Sequence, residues 1–456
     1  MREEASFSRG KVSKLTFSGD GLRKKLVCGS LASLGVKASY LALQFMVGVA
    51  LARALGPEAL GIYAFTMALV QLLAIIAQFG FPASLVRFVS VAEANGNYSE
   101  TRGLLSGAAQ IVVSVSFVIA TGACLLLWLR GAGLAQAPSS ALTVGLIIFP
   151  LLAFSATLGG ATRGLGHVVL GQLPGQVVRP FVFLAVLVII SIGGISLTPE
   201  SALATHAVSA AVAVAAGVAL LLHKLPHKVR VSIPDMQRLK LARLSLPFLL
   251  LAGVQVLNYQ TDILMLGLLT TQESVGRYRV ALQIVEGLGV TMFAISMAIG
   301  PQIARLHAQQ DWQRLRKMLV LSHQVATVVM LPLSLVVIIF AAPLLNYAFG
   351  PDFAPAAQAL SILALGKVAY ASVGFSGLAL SMLGRPGVAA AVTAATFMMN
   401  ISLNILLIPA FGMEGAAVAT GASLFTVNAL GLAWARHLTG YNFSAFSFWN
   451  FRSRVE

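Results

Sequence analysis

The chain reads as an all-α polytopic membrane protein of about twelve transmembrane helices in two parallel six-helix lobes. Three observations predict this fold. Twelve apolar stretches of about 20 residues each run from Leu26 to Trp434, separated by short polar loops. Hydrophobic residues make up 58% of the 456 and charged residues 10%, with a mean hydropathy of +0.87, so no large soluble domain fits. Parts of the chain also repeat at an offset of 215 residues.

A hydrocarbon core about 30 Å thick requires roughly 20 residues at 1.5 Å each. In order, the spans fall near 26–50, 61–86, 104–129, 140–162, 173–194, 202–222, 244–268, 279–300, 318–341, 356–382, 387–409 and 414–436. Lipid offers the backbone no hydrogen-bond partner, so each span is helical. The 42 glycines suit close helix packing. These spans divide the chain into a basic tail (1–25), a first lobe (26–222), a basic linker (223–243), a second lobe (244–436) and a short tail (437–456).

Loop charge sets the orientation, because Lys and Arg stay on the cytoplasmic side. Most of the 31 basic residues fall on one face: the N-terminal tail, Arg87 and Arg102, Arg163, the linker from Lys224 to Arg243, Arg305 to Lys317, Arg385, and the tail with Arg436, Arg452 and Arg454. The other face carries Arg53, Arg130, Arg277 and Arg279 beside Glu58, Glu200, Glu273, Asp352 and Glu414. Both termini are therefore expected in the cytoplasm. The net charge of +16 sits at membrane boundaries, facing anionic headgroups, which argues against nucleic acid as a partner. The first 25 residues contain no apolar core, so no cleavable signal peptide is expected.

Enzymatic signatures are missing from the sequence. It holds no HExxH, nucleophile elbow, phosphate loop or paired-cysteine motif, and its seven histidines are scattered. Cys28 and Cys124 fall near opposite membrane faces, which argues against a disulfide or a metal pair. The outer loops are short, whereas glycosyl transfer outside the membrane would be expected to need a larger folded one.

The repeat is the architectural signal. "PEALGIY" from Pro57 returns as "QESVGRY" from Gln272, and Arg102 with Leu104 returns as Lys317 with Leu319. Ala202, Ala204, Thr205 and Ala207 return as Ala417, Ala419, Thr420 and Ala422. Six spans per copy, an even number, give both copies one orientation, which produces parallel lobes about an axis near the membrane normal and suits alternating access.

Charges inside the spans single out functional candidates. A charge at the bilayer centre costs about 2.5–3.5 kcal/mol, so such a residue faces a cavity or a partner. Lys37 in the first span, Arg179 in the fifth and Lys367 in the tenth form a candidate cationic cavity, which Arg87 would extend toward the entrance. Arg suits bidentate phosphate contacts, and Lys acts as a point charge. The competing readings are snorkelling for Lys37, a helix broken at Pro180 for Arg179, a salt bridge for Lys367 and a headgroup anchor for Arg87. Asp262 and Glu286 lie in the seventh and eighth spans; either binds a coupling cation or proton, or pairs with a base such as Lys367, and both readings stand. His206 reads as a packed polar residue. Asn258, Tyr259, Gln260, Asn400 and Asn404 suit sugar hydroxyls or interhelical bonds alike. "PQIARLHAQQDWQRLRKM" from Pro301 reads as one amphipathic interfacial helix.

"LARALGPEALGIYAF" from Leu51, "FGFPASLVRFVS" from Phe79, "DILMLGLLTTQESVGRYRVALQI" from Asp262 and "NISLNILLIPAFGMEGAAVATGAS" from Asn400 resemble the polysaccharide exporters and oligosaccharide flippases of the multidrug/oligosaccharidyl-lipid/polysaccharide (MOP) superfamily. The resemblance covers almost the whole chain. It implies a MATE-like V of two lobes around a central cavity, located in the bacterial inner membrane. It further implies outward movement of undecaprenyl-pyrophosphate-linked glycans, as in O-antigen and lipopolysaccharide biosynthesis, alongside partner glycosyltransferases and a glycan polymerase. No bound cofactor is expected, and coupling would come from H⁺, Na⁺ or the membrane potential. The basic cavity fits an anionic pyrophosphate. The alternatives are a multidrug-type cation antiporter relying on Asp262 and Glu286, and a membrane glycan polymerase or ligase, which the short loops disfavour.

Overall fold

The computed structural model describes residues 19–130, 138–194 and 196–439. Most of the expected N-terminal tail and nearly all of the C-terminal one lie outside the described residues. In chain order the α-helices are α1 (Gly19–Gln78), α2 (Phe81–Ala94), α3 (Tyr98–Arg130), α4 (Ser139–Gly164), α5 (Val168–Leu173), α6 (Arg179–Ile192), α7 (Pro199–Lys224), α8 (His227–Val231), α9 (Arg238–Leu269), α10 (Gln272–Ala308), α11 (Trp312–Ile339), α12 (Ala341–Phe349), α13 (Ala357–Val373), α14 (Ser376–Met382) and α15 (Pro386–Thr439). No strand occurs among the described residues.

Ten apolar helical stretches among these residues are long enough to cross a membrane. Two of them, Ala32–Ala94 with 63 residues and Pro386–His437 with 52, hold two crossings each, which makes twelve. The divisions are chemical. Gly56 adopts φ 74°, open to glycine and strained for an L side chain, and the next residue is Pro57, which has no N–H to continue the ladder. Gly412 (φ 55°) divides α15 in the same way, three residues after Pro409.

The fifth crossing is not broken at Pro180. A π-helical turn over Pro174–Val178 joins α5 to α6, and Pro180 occupies the first turn of α6, where its missing N–H costs least. Phe375 (φ 62°) interrupts the tenth crossing between α13 and α14. The stretch from Pro301 is two helix ends rather than one interfacial helix. α10 stops at Ala308, Gln310 turns the chain at φ 56°, and the Asp311 side chain caps α11 by accepting from Arg314 N at 3.0 Å. Its apolar residues pack inward: Ile303 and Leu315 are fully buried in one cluster with Met292, Met330 and Leu380. The segment between α7 and α9 is pinned to the start of α3, with Ser232 Oγ donating to Tyr98 O at 3.1 Å and Asp235 N donating to Ser99 O at 3.1 Å.

The two copies of the repeat meet through matching residues. Gly61 lies against the Gln272 carbonyl, and Gly276 lies against the Pro57 carbonyl. Pro57 and Gln272 are one repeat length apart, as are Gly61 and Gly276, so the contact is reciprocal about a local two-fold axis. A Cβ on either glycine would overlap the facing backbone, so only glycine permits this approach. Gly48 extends the seam under the Gln283 amide, whose Nε2 donates to Phe45 O at 3.1 Å. At the same end, Arg53 donates to the carbonyls of Ala348 at 2.9 Å and Tyr347 at 2.5 Å. Arg277 donates to Asp352 O at 2.9 Å and pairs with Glu273 at 2.7 Å. This end, which carries the acidic loops, is closed.

Gly276→Leu drives a side chain into the Pro57 carbonyl, and overpacking of this kind costs about 1–3 kcal/mol. Thermal unfolding in detergent is expected to show a lowered melting temperature. Gly287→Ala, with open space around its added Cβ, leaves the melting temperature unchanged or higher.

Candidate functional site

Beneath that closed end lies a cavity of about 540 Å³, within the range of small-molecule sites. Its walls follow helical periodicity. On the first half of α1 the lining residues include Lys37, Tyr40, Gln44, Gly48 and Leu51, spaced three and four apart and therefore on one face. Beyond the kink the stripe resumes at Leu60, Tyr63, Met67 and Gln71. Across the seam α10 contributes Arg279, Gln283, Glu286, Val290 and Phe293 at the same spacing. From α9 come Tyr259, Gln260 and Ile263, and from α13 comes Lys367.

Charge in the cavity is unequal. Arg279 Nη1 pairs with Glu286 Oε1 at 3.2 Å, with both side chains partly exposed. Lys37 Nζ lies 5.0 Å from the centre of the Tyr40 ring and Lys367 Nζ lies 5.9 Å from that of Tyr370. Neither lysine forms a salt bridge among the described residues. Three bases thus face the cavity against one acid. Cation–π contact stabilises an ammonium by about 0.5–2 kcal/mol without cancelling its charge.

Elsewhere in the lining, Tyr63 Oη lies 2.8 Å from His206 Nδ1, and the Phe183 ring packs 4.9 Å from the imidazole. Arg179 is within electrostatic range of both Tyr63 and His206, although it does not line the cavity.

Behind the cavity sits a second polar centre. Asp262 is 5% exposed, and its carboxylate accepts from Tyr278 Oη at 2.9 Å, from Asn404 Nδ2 at 3.0 Å and from Thr420 Oγ1. Asn404 Nδ2 also donates to Asn400 Oδ1 at 3.1 Å, while Asn404 Oδ1 is buried without a partner. This centre joins α9, α10 and α15.

Of the six charged candidates, the structure brings Lys37, Lys367 and Glu286 to one cavity and sets Arg179 beside it. Arg87 is not part of the wall. α2 buries Phe81, Ser84, Leu85, Val89 and Ala92 against its neighbours, and Arg87 projects exposed from another face. The pairing of Asp262 with Lys367 does not form, because three neutral donors hold the carboxylate instead. Asn400 and Asn404 belong to that centre rather than to the cavity wall. Asn258 is exposed and donates to Val254 O in its own helix, whereas Tyr259 and Gln260 do line the cavity.

Arg279, expected on the outer face as the first residue of the eighth span, lies well inside that helix and lines the cavity. The eighth helix starts seven residues earlier than expected, at Gln272, with the Thr271 side chain accepting from Ser274 N, so Arg279 lies two turns inside. The cap Thr271 and its neighbour Ser274 were the available signal.

Comparison with known proteins fits this geometry. The family model described as polysaccharide biosynthesis protein matches residues 29–307, more than half of the chain, and the MatE model matches 247–406. A probable low-salt glycan biosynthesis flippase of Haloferax volcanii, Agl15, is 30% identical over 167 residues, covering 37% of this chain. The match spans about a third of that relative's length, 35%. Among solved structures, an inward-facing multidrug resistance MATE family transporter of the MOP superfamily aligns with a TM-score of 0.73 at 15% identity, covering 88% of this chain and 94% of that one. The lipid II flippase MurJ, in an inward closed conformation, aligns with a TM-score of 0.70 at 13% identity, covering 90% and 87%. The chain therefore has the two-lobed MATE-like fold.

Proposed function

The chain belongs to the polysaccharide biosynthesis protein family, and from that premise we propose that it is a flippase for lipid-linked glycans. It carries a polyprenyl-pyrophosphate-linked oligosaccharide, of the undecaprenyl type or a close equivalent, from the cytoplasmic to the outer leaflet by alternating access, without making or breaking bonds. The observation that carries this reading is the excess of base in the cavity: Lys37, Lys367 and Arg279 against Glu286 alone. Two uncompensated positive charges at membrane depth match the two negative charges of a pyrophosphate diester. A multidrug-type cation would meet repulsion in the same place.

Loop charge supports an orientation with the basic end and both termini in the cytoplasm of an inner membrane. The closed end then faces outward, and the cavity is loaded from the inside. Moving two negative charges out of an inside-negative cell gains roughly 4–5 kcal/mol at 100 mV, from about 2.3 per charge. A lipid-linked glycan must be assembled on one side and consumed on the other, so glycosyltransferases and a polymerase are the partners that this substrate requires.

The reading is tested by binding of undecaprenyl-pyrophosphate glycan to purified protein. Lys37→Ala, Lys367→Ala and Arg279→Ala are each expected to weaken binding about tenfold or more, as loss of a charge-assisted contact does. Undiminished binding in all three folded variants, or drug efflux that depends on Asp262 alone, would contradict it.

Coupling to a monovalent cation has separate support in the Asp262 centre. A buried carboxylate, two side-chain carbonyls and two hydroxyls from three helices form a singly negative oxygen cluster, and the partnerless Asn404 Oδ1 is an acceptor in want of a cation. Sodium is expected to raise the melting temperature of the wild type relative to choline and to leave Asp262→Asn unmoved. Equal responses in both proteins would assign Asp262 a purely structural role.

A further inference from the structure

We propose that Glu286 is the cavity's resident anion: while the cavity is empty its carboxylate occupies the place of a substrate phosphate, and the arriving phosphate displaces it. Arg279, Lys367 and Tyr259 then form the subsite for one phosphate of a lipid-linked diphosphate, an assignment that rests on the lipid-linked-glycan reading above.

Glu286 is the one acid among the described lining residues, and its neighbours are the donor set of an anion site. Arg279 Nη1 lies 3.2 Å from its Oε1, the Tyr259 phenol hydrogen-bonds to it, and Lys367 is within electrostatic range. A guanidinium, a phenol and an ammonium, from α10, α9 and α13, thus converge on one carboxylate. Such a set recognises oxyanions in general, a phosphate as well as a carboxylate. All four residues line the cavity, and the side chains of Arg279 and Glu286 are 31% and 23% exposed, so a ligand can reach the pair.

The bond between the two is one that a ligand can open. Arg279 and Glu286 stand seven residues apart on α10, about 10 Å along the axis, so each side chain has to extend toward the other. The contact is single, Nη1 to Oε1, whereas a guanidinium binds an oxyanion most strongly through two parallel bonds. A partly exposed pair of this kind contributes little to holding a fold together.

The repeat shows that the wall can be built without the charge. One repeat length before Glu286 stands Gln71, before Arg279 stands Ala64 and before Tyr259 stands Gln44, and all three line the cavity. The first lobe therefore places a neutral amide where the second has a carboxylate, with no arginine beside it. Acid and base occur together in one lobe only, at a depth where either alone would be costly. Pairing keeps Arg279 neutralised between cycles, and the phosphate takes over the guanidinium on arrival. When the phosphate leaves, the tethered carboxylate returns to its place and favours release.

The test compares Glu286→Gln with the wild type, full-length in detergent, for binding of farnesyl pyrophosphate, inorganic pyrophosphate and farnesol. Glutamine reproduces the residue of the first copy and removes only the charge. The variant is expected to bind farnesyl pyrophosphate about five- to tenfold more tightly, because one like charge has left the site, and to bind farnesol as the wild type does. A carboxylate that merely positioned Arg279 predicts the opposite sign, weaker binding. Inorganic pyrophosphate is expected to gain by the same factor from a weaker starting affinity. In proteoliposomes, translocation of undecaprenyl-pyrophosphate glycan at saturating substrate is expected to slow several-fold, since no carboxylate returns to displace the phosphate. Should Glu286→Gln fail to fold, Glu286→Ala carries the same expectations. Binding of farnesyl pyrophosphate that is weakened or unchanged, or a gain shared by farnesol, would overturn the resident-anion role. Wild-type protein that binds neither pyrophosphate, or binds the inorganic one as tightly as the prenyl form, would instead overturn the lipid-linked-glycan reading.

Discussion

Two glycines hold two backbones together, and the rest of the molecule is arranged around that crossing. Gly61 against Gln272 and Gly276 against Pro57 are the same contact made twice, once from each copy of the repeat. Because the contact is self-complementary, it sets a local two-fold relation between the halves and closes one end of the protein. The helices then run away from the crossing as stripes on α1 and α10 facing each other, and the space between the stripes is the cavity. In a membrane, where lipid is as apolar as a side chain, close backbone approach is one of the few forces available to draw helices together.

That arrangement decides where charge can go. Lipid-facing positions reject it, so the ionisable residues within the crossings turn toward the cavity or into buried polar centres. The protein sorts them into two kinds. In the second lobe, Asp262 is surrounded by hydroxyls and amides from α10 and α15 and is buried. In the cavity itself, two lysines rest near tyrosine rings and an arginine shares one glutamate, which leaves three bases against one acid.

Some of this was legible in the sequence, for physical reasons that can be named. Lys37 and Lys367 stand out because a charge in the middle of an apolar window has few places to be, and the repeat stands out because "PEALGIY" and "QESVGRY" share the glycine that permits the crossing. Arg279 was lost because the hydropathy window trims a span where polar residues begin, whereas the helix begins at its cap, Thr271. The partners of Asp262 come from α10 and α15, up to 158 residues away, and no local pattern encodes such a meeting. Arg87 shows the converse: its position near the end of a span was readable, but the face of α2 that it occupies depends on which side packs. The segment from Pro301 carried an amphipathic pattern, yet the left-handed turn at Gln310 folds that pattern into two helices that bury it.

The account rests on one claim, that an anionic lipid-linked glycan crosses through the basic cavity. The most direct measurement is translocation of undecaprenyl-pyrophosphate glycan in proteoliposomes under an imposed diffusion potential, read by accessibility of the sugar to an added glycosidase. Transport toward the positive side is predicted to accelerate as the potential rises, and to fail when Lys37 and Lys367 are both replaced by alanine. Translocation indifferent to both the potential and the two lysines would contradict it.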